Sequence, residues 1–234
     1  MLGTFEERIS DGRILIRHLT KIFILAAIAM DLSYRFFDHA LAQFFRHEDN
    51  LQLWIYAREV TNIGWARHYF IFVFGGLLLV HWKPNVTSRI FFEKFHADDL
   101  KIWFWNFLSA LLFSGVVLHL FKFMVGRQRP TQSPDSAFDV FVPMNHDWNF
   151  QSWPSGHTQV LFTVATMVCL VDQKRKWMWF SMAFFFSLSR VMTYSHFLSD
   201  VIGGAFIGYA STLYSLHLIN RYTHFSWLKN EVLK

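Results

Sequence analysis

Six runs of apolar residues, roughly 19–37, 68–82, 102–124, 155–171, 177–194 and 197–219, alternate with polar or charged segments. Each is about 15–25 residues long, near the ~20 that an α-helix needs to cross a hydrocarbon layer. The second run is short. The fourth and fifth are parted only by Asp172-Gln173-Lys174-Arg175-Lys176, a tight polar turn. The pattern predicts an all-α polytopic membrane protein, with six transmembrane helices in a bundle. Residues 44–67 mix Leu51, Trp54, Ile55, Val60 and Ile63 with charges. That suits a helix lying on the membrane surface or a solvated connector.

Composition supports the membrane reading. Of the 234 residues, 53% are hydrophobic and 19% aromatic, with 28 Phe and 10 Trp, too many for an ordinary soluble domain of this size. A single cysteine, Cys169, lies inside an apolar run, so an intramolecular disulfide is excluded and a reactive thiol is not expected. There is no internal repeat, low-complexity tract or Gly/Ser linker, and one domain over 1–234 is the simplest organisation.

The net charge of +5 would suit nucleic acid, but its distribution points to a lipid surface instead. With the N-terminus inside, the inner segments are 1–21, 83–101, 172–176 and 220–234, and they hold fourteen of the 22 Lys and Arg. By the positive-inside rule the orientation is N-in, C-in, and no nucleic-acid partner is needed. A cleaved signal peptide is the competing reading of the N-terminus, with Ala40-Leu41-Ala42 as the cleavage site, but Asp31 interrupts the apolar run well before it.

Three short blocks carry the chemistry: Lys122-x6-Arg129-Pro130, Pro154-Ser155-Gly156-His157, and Ser189-Arg190-x5-His196-x3-Asp200. All fall at the outer ends of expected helices, so one membrane face gathers three cations, two histidines and a carboxylate. Lys122 and Arg129 are two helical turns apart, about 10 Å along one face, with Pro130 expected to end that helix. Arg offers a planar fork to phosphate oxygens and Lys a point charge. The first amides of a helix after Pro154, at Ser155, Gly156 and His157, would face an anion. His196 and Asp200 stand at i and i+4, where the carboxylate can orient the imidazole as a nucleophile. His157 is then available as general acid. Singly, each element is commonplace: an interfacial His is usually structural, and an interfacial Lys or Arg usually reaches for headgroups. Eleven specified positions in order at one face are not.

These blocks resemble the three signature motifs of the type-2 phosphatidic acid phosphatase superfamily, which includes membrane lipid phosphatases and, more distantly, vanadium haloperoxidases. The motif region is 122–200, and all eleven signature positions match. The resemblance implies that Lys122, Arg129 and Arg190 hold the phosphate oxygens, with Ser155 and the Gly156 amide. It implies His196 as the nucleophile forming a phosphohistidine, Asp200 as its orienting group and His157 as the acid, without metal or cofactor. Similar enzymes hydrolyse phosphatidic acid, phosphatidylglycerophosphate, undecaprenyl pyrophosphate or lipid A phosphates. The expected partners are a phosphorylated membrane lipid and the bilayer. The small size suits a bacterial inner-membrane protein with its site facing the periplasm.

Arg127, between two signature residues, is a further candidate for substrate contact, the alternative being a solvated charge. The connection 131–153, with Phe138, Phe141, His146, Trp148 and Trp153, could be a lid, a headgroup reader or an interfacial anchor. His119, one turn before Lys122, is a candidate cavity residue. Asp31 is an intramembrane carboxylate or one reaching the interface. Gly204-x3-Gly208 suits close helix packing. The rival functions are a lipid phosphotransferase using the same phosphohistidine, a vanadate-dependent haloperoxidase and a non-catalytic lipid-binding protein. Six spans argue against the second, and the presence of His157, His196 and Asp200 against the third.

Overall fold

The computed structural model describes residues 9–46, 51–83, 97–133 and 140–223. Among them the chain is helical, with no extended pairing beyond an isolated antiparallel bridge between Arg127 and Phe141. The main helices are α1 (Gly12–Phe36), α2 (Asp38–Arg46), α3 (Leu51–Thr61), α4 (Ala66–Trp82), α5 (Ala97–Val125), α6 (Gly156–Val171), α7 (Lys176–Met192) and α8 (Leu198–Thr223). Six of them overlie the six apolar runs. α1 starts well before its run because the Asp11 carboxylate accepts a hydrogen bond from the Arg13 N–H and caps it. Much of the basic segments 83–101 and 220–234, residues 1–8, and Phe138 in the 131–153 connection lie outside the described residues.

By length and composition, three stretches among the described residues can cross a membrane: Gln52–Trp82, Ala97–Val125 and Leu198–Ile219, with Gly156–Val171 as a shorter apolar helix. α1 carries Arg13, Arg17, Lys21, Asp31 and Arg35, and α7 has only 17 residues, so neither passes on those grounds alone. The exterior of α1, α4, α5 and α7 is nevertheless rich in apolar side chains. Leu25 on α1, Ile71 and Leu78 on α4, Leu112, Val116 and Leu120 on α5, and Phe185 on α7 all stand exposed. The interior, conversely, holds buried Ser114, Gln159, Thr163 and Thr212. Such groups need partners inside hydrocarbon, and they supply one another: Gln159 donates to Ser114 Oγ at 2.6 Å and Thr212 to the Gly208 carbonyl at 2.7 Å. This is the construction of an integral-membrane bundle.

α8 is the central element, packed on α1, α5 and α6. The Gly204-x3-Gly208 spacing does set its closest crossing. A Cβ at Gly204 would lie 2.4 Å from the Ser155 carbonyl oxygen, and one at Gly208 2.3 Å from that of Gln159. Leu15, Val73, Phe104, Phe107, Met167 and Leu213 join α1, α4, α5, α6 and α8 into one apolar core. The described residues of the 44–67 connection are largely helical. They contain the end of α2, all of α3, which packs on α7, and a 3₁₀ turn at Asn62–Gly64 that leads into α4. Asp31 forms an exposed ion pair with Arg35 at 2.9 Å, one turn on in α1.

Two boundaries differ from the sequence reading. α5 ends at Val125, not at Pro130, because Gly126 takes a left-handed φ of 61° and its N–H closes on the Lys122 carbonyl at 3.0 Å. A side chain there would collide with the Val142 carbonyl, so only glycine allows this ending. Lys122 and Arg129 therefore do not share a helical face. Similarly, α8 begins at Leu198, so His196 precedes the helix that carries Asp200.

Candidate active site

The three blocks converge at one end of the bundle, around a cavity of about 1070 Å³. Lys122, Arg129, Arg190, Gly156, His157 and His196 all line it. The cavity runs from this charged end down the apolar face of α5 that carries Leu111, Leu112, Gly115 and Val116. His119, His146 and Trp148 line it too, so part of the 131–153 connection is a wall of the site.

The cavity cations are held by neutral oxygens. Lys122 Nζ makes a short hydrogen bond to the Gln151 carbonyl. Arg129 donates to the carbonyls of Trp148 (3.1 Å), Ser195 (3.2 Å) and Gln151 (3.2 Å), and its guanidinium lies 3.8 Å from the centre of the Trp148 ring. Arg190 donates to Thr61 Oγ1 at 3.1 Å. Burial pushes the Arg129 guanidinium down to about 10, with Asp200 opposing, which leaves it charged at neutral pH.

His196 is 3% exposed, in the turn between α7 and α8. Its Nε2 stands 3.1 Å from Arg129 Nη1, and its Nδ1 is 3.5 Å from Asp200 Oδ2, at the outer limit of a hydrogen bond. Burial, reinforced by Arg129, Arg190, Lys122 and His157, holds His196 well below the usual histidine range. The ring is therefore neutral at physiological pH, as a nitrogen nucleophile must be. The Asp200 carboxylate is fixed from several sides. Oδ2 accepts from the Phe197 N–H at 2.9 Å and from Ser152 Oγ at 2.5 Å, and Oδ1 accepts from Arg127 at 2.7 Å.

Across the cavity, His157 opens α6, and its Nε2 has no hydrogen-bond partner among the described residues. It is held by the turn entering α4. The Trp65 ring meets the imidazole edge-on at 5.2 Å, and Gly64 lies so close that a Cβ there would be 2.8 Å from His157 Cβ and Cδ2.

Two residues expected to touch substrate, Ser155 and Arg127, are not among those lining the cavity. Ser155 is wholly buried and does not line the cavity. Its N–H donates to the Asp200 carbonyl at 3.0 Å and its Oγ accepts from Thr158 at 3.1 Å. Of the three amides expected to face an anion, those of Gly156 and His157 remain open. Arg127 is 2% exposed and also absent from the cavity wall. Its guanidinium binds Asp200 at 2.7 Å and Asp38 at 2.9 Å and lies 4.0 Å from the centre of the Phe197 ring. Burial works against its charge, but Asp200 and Asp38 outweigh burial and raise its pKa. It is a buried charge held between two carboxylates, not a solvated one.

Sequence reasoning did not single out Asp38, Thr61, Gly64 or Ser152. None of the four has a spacing that ties it to the blocks. Among the described residues no group of three or more His, Cys, Asp or Glu is placed to hold a metal ion.

A family model described as the PAP2 superfamily matches residues 103–224, a stretch containing all three blocks. A lipid A 1-phosphatase of Rhizobium etli is 32% identical over 106 residues, 45% of this chain and 46% of that protein. The bacitracin transport permease protein BcrC of Bacillus licheniformis is 35% identical over 63 residues, 27% of this chain and 31% of that protein. The chain thus spans under half the length of these curated relatives. Among solved structures, a transmembrane PAP2-type phosphatidylglycerolphosphate phosphatase from Bacillus subtilis has the same fold. It gives a TM-score of 0.53 at 17% identity and covers 88% of this chain and 98% of that one.

Proposed function

The chain belongs to the PAP2 superfamily, and from that premise we propose that it is a metal-independent phosphatase acting on a phosphate monoester or diphosphate of a membrane lipid. The observation that carries this is the cavity itself. His157 and His196 both open into it, three cations gather at one end and an apolar wall leads away down α5. A phosphate at the charged end would have its lipid chain against that wall.

Lys122, Arg129 and Arg190 hold the phosphate oxygens and neutralise charge as it builds in the transition state. His196 Nε2 attacks phosphorus while the bond from phosphorus to the leaving oxygen breaks. His157 gives that oxygen a proton, and the lipid product departs. Asp200 accepts from Nδ1–H and stabilises the cationic ring of the phosphohistidine. His157 then takes a proton from water, the water oxygen attacks phosphorus, the nitrogen–phosphorus bond breaks and inorganic phosphate leaves. The bundle crosses the membrane six times with both termini inside, which puts the site at the outer face. In a bacterial cell that is the periplasmic face of the inner membrane.

The test is phosphate release by the protein purified in detergent with chelator present. The substrates are undecaprenyl pyrophosphate, phosphatidylglycerophosphate, phosphatidic acid and lipid A, each with a His196→Ala control. Release from at least one lipid, reduced by more than about a thousandfold in the variant, is expected. Substantial activity in His196→Ala overturns the nucleophile assignment. No release from any lipid overturns hydrolysis and turns attention to transfer onto a lipid acceptor.

A further inference from the structure

Behind His196 lies a buried chain of charge that the motif chemistry does not use. Asp38, at the corner between α1 and α2, is 1% exposed. It accepts from Ser33 Oγ (2.9 Å), the Ser199 N–H (3.0 Å), Ser199 Oγ and Arg127 Nη2 (2.9 Å). Arg127 Nη1 in turn holds Ser199 Oγ and Asp200 Oδ1, both at 2.7 Å. Asp38 and Arg127 are 89 residues apart in sequence, and Asp38 precedes the stretch that matches the family model.

We infer that Asp38 is a positioning residue for the nucleophile, acting on His196 through Arg127 and Asp200. This rests on the phosphohistidine reading above. A guanidinium bound to Asp200 alone would cancel the carboxylate charge that the cationic ring of His196 needs. Asp38 cancels the guanidinium instead, so the Asp38–Arg127–Asp200 chain keeps one net negative charge beside the ring. Its geometry also matters. Arg127 ties down Oδ1, which leaves Oδ2 turned towards Nδ1, while Ser199 locks Arg127 to Asp38. Lysine would not replace Arg127, because Nη1 donates to Asp200 and Ser199 while Nη2 donates to Asp38, a planar spread of donors that a single ammonium does not present.

The experiment compares Asp38→Asn, Arg127→Met and the double variant of the full chain in detergent, each checked for monodispersity and thermal unfolding. Phosphate release from phosphatidic acid or, if that lipid is not turned over, from whichever panel lipid is, gives kcat and KM separately. Asp38→Asn is expected to lower kcat about tenfold to a hundredfold, with KM nearly unchanged. In the Arg127→Met background the same change is expected to lose most of its effect, since Asp38 then has nothing to act through. Additive losses, or a change in KM alone, would overturn the inference. If Arg127→Met does not fold, Arg127→Gln takes its place. A second readout does not depend on turnover: the ring ¹⁵N titration of His196, which also faces Lys122, Arg129, Arg190 and His157. Its midpoint should move down in Asp38→Asn, where Arg127 is less compensated, and an unmoved midpoint overturns the inference. A chain that releases no phosphate from any lipid sinks the functional reading, and the ring titration then decides this one alone.

Discussion

The front and the rear of this site hold their cations in opposite ways. At the front, Lys122, Arg129 and Arg190 are oriented by carbonyl and hydroxyl oxygens, and among the described residues none lies within ion-pair distance of a carboxylate. At the rear, Arg127 is gripped by two buried carboxylates. Neutral acceptors fix direction without cancelling charge, so the front cations remain available to an incoming phosphate. The rear cation is already neutralised and instead organises the groups around it. Four basic side chains that look alike in sequence thus divide into three that face the cavity and one bound between two carboxylates.

The sharpest break of that comparison is a pair of single substitutions. Arg190→Ala is expected to lower kcat/KM about a hundredfold to a thousandfold, as loss of one donor to a developing charge does, while stability changes little. Arg127→Met is expected to destabilise the fold by about 3–5 kcal/mol, because two buried carboxylates lose their partner. Phosphate-release kinetics set beside thermal unfolding separate the two. Equal stability losses would show that the front cations are structural after all.

The next test concerns His157, which owes its position to a segment outside the motifs. Gly64→Ala places a methyl group 2.8 Å from the His157 Cβ. The backbone tolerates alanine there, so the ring must move. A displacement of this order costs about a hundredfold in kcat when the displaced group is the acid. KM should change far less, since the cations are untouched. An unchanged kcat would mean that His157 does not need its observed position.

These contacts also show what could be read from the chain. The apolar runs and the three blocks were legible because helices and signature motifs are local patterns. Lys122, Arg129, Arg190, His157 and His196 all reach the cavity as their order in sequence implied. The end of α5 was misread because Pro130 is the louder signal. Gly126, immediately after the apolar run, was the better one. Asp38 was not legible at all. A carboxylate that meets its guanidinium 89 residues away leaves no trace in spacing or periodicity. Nor was it legible that Ser155 is buried, with its N–H on the Asp200 carbonyl and its Oγ accepting from Thr158.

The smallest expected effect concerns the apolar end of the cavity, where the comparison becomes one of head against tail. Gly115 lines the cavity seven residues before Lys122, about 10 Å away along α5, and a Cβ there would meet nothing within 4 Å. Gly115→Leu therefore fills space that a lipid chain would occupy and touches no phosphate ligand. Displacing two methylene groups from apolar contact is worth about 1.6 kcal/mol, so kcat/KM for long-chain phosphatidic acid should fall about tenfold. For diacetylglycerol phosphate, whose acyl groups end before that depth, it should hardly change. Destabilisation cannot mimic this result. Replacing glycine by leucine inside a helix favours the fold by up to about 1 kcal/mol, so stability should hold or rise while long-chain activity falls. Equal losses on both substrates would put the lipid chain somewhere other than along α5.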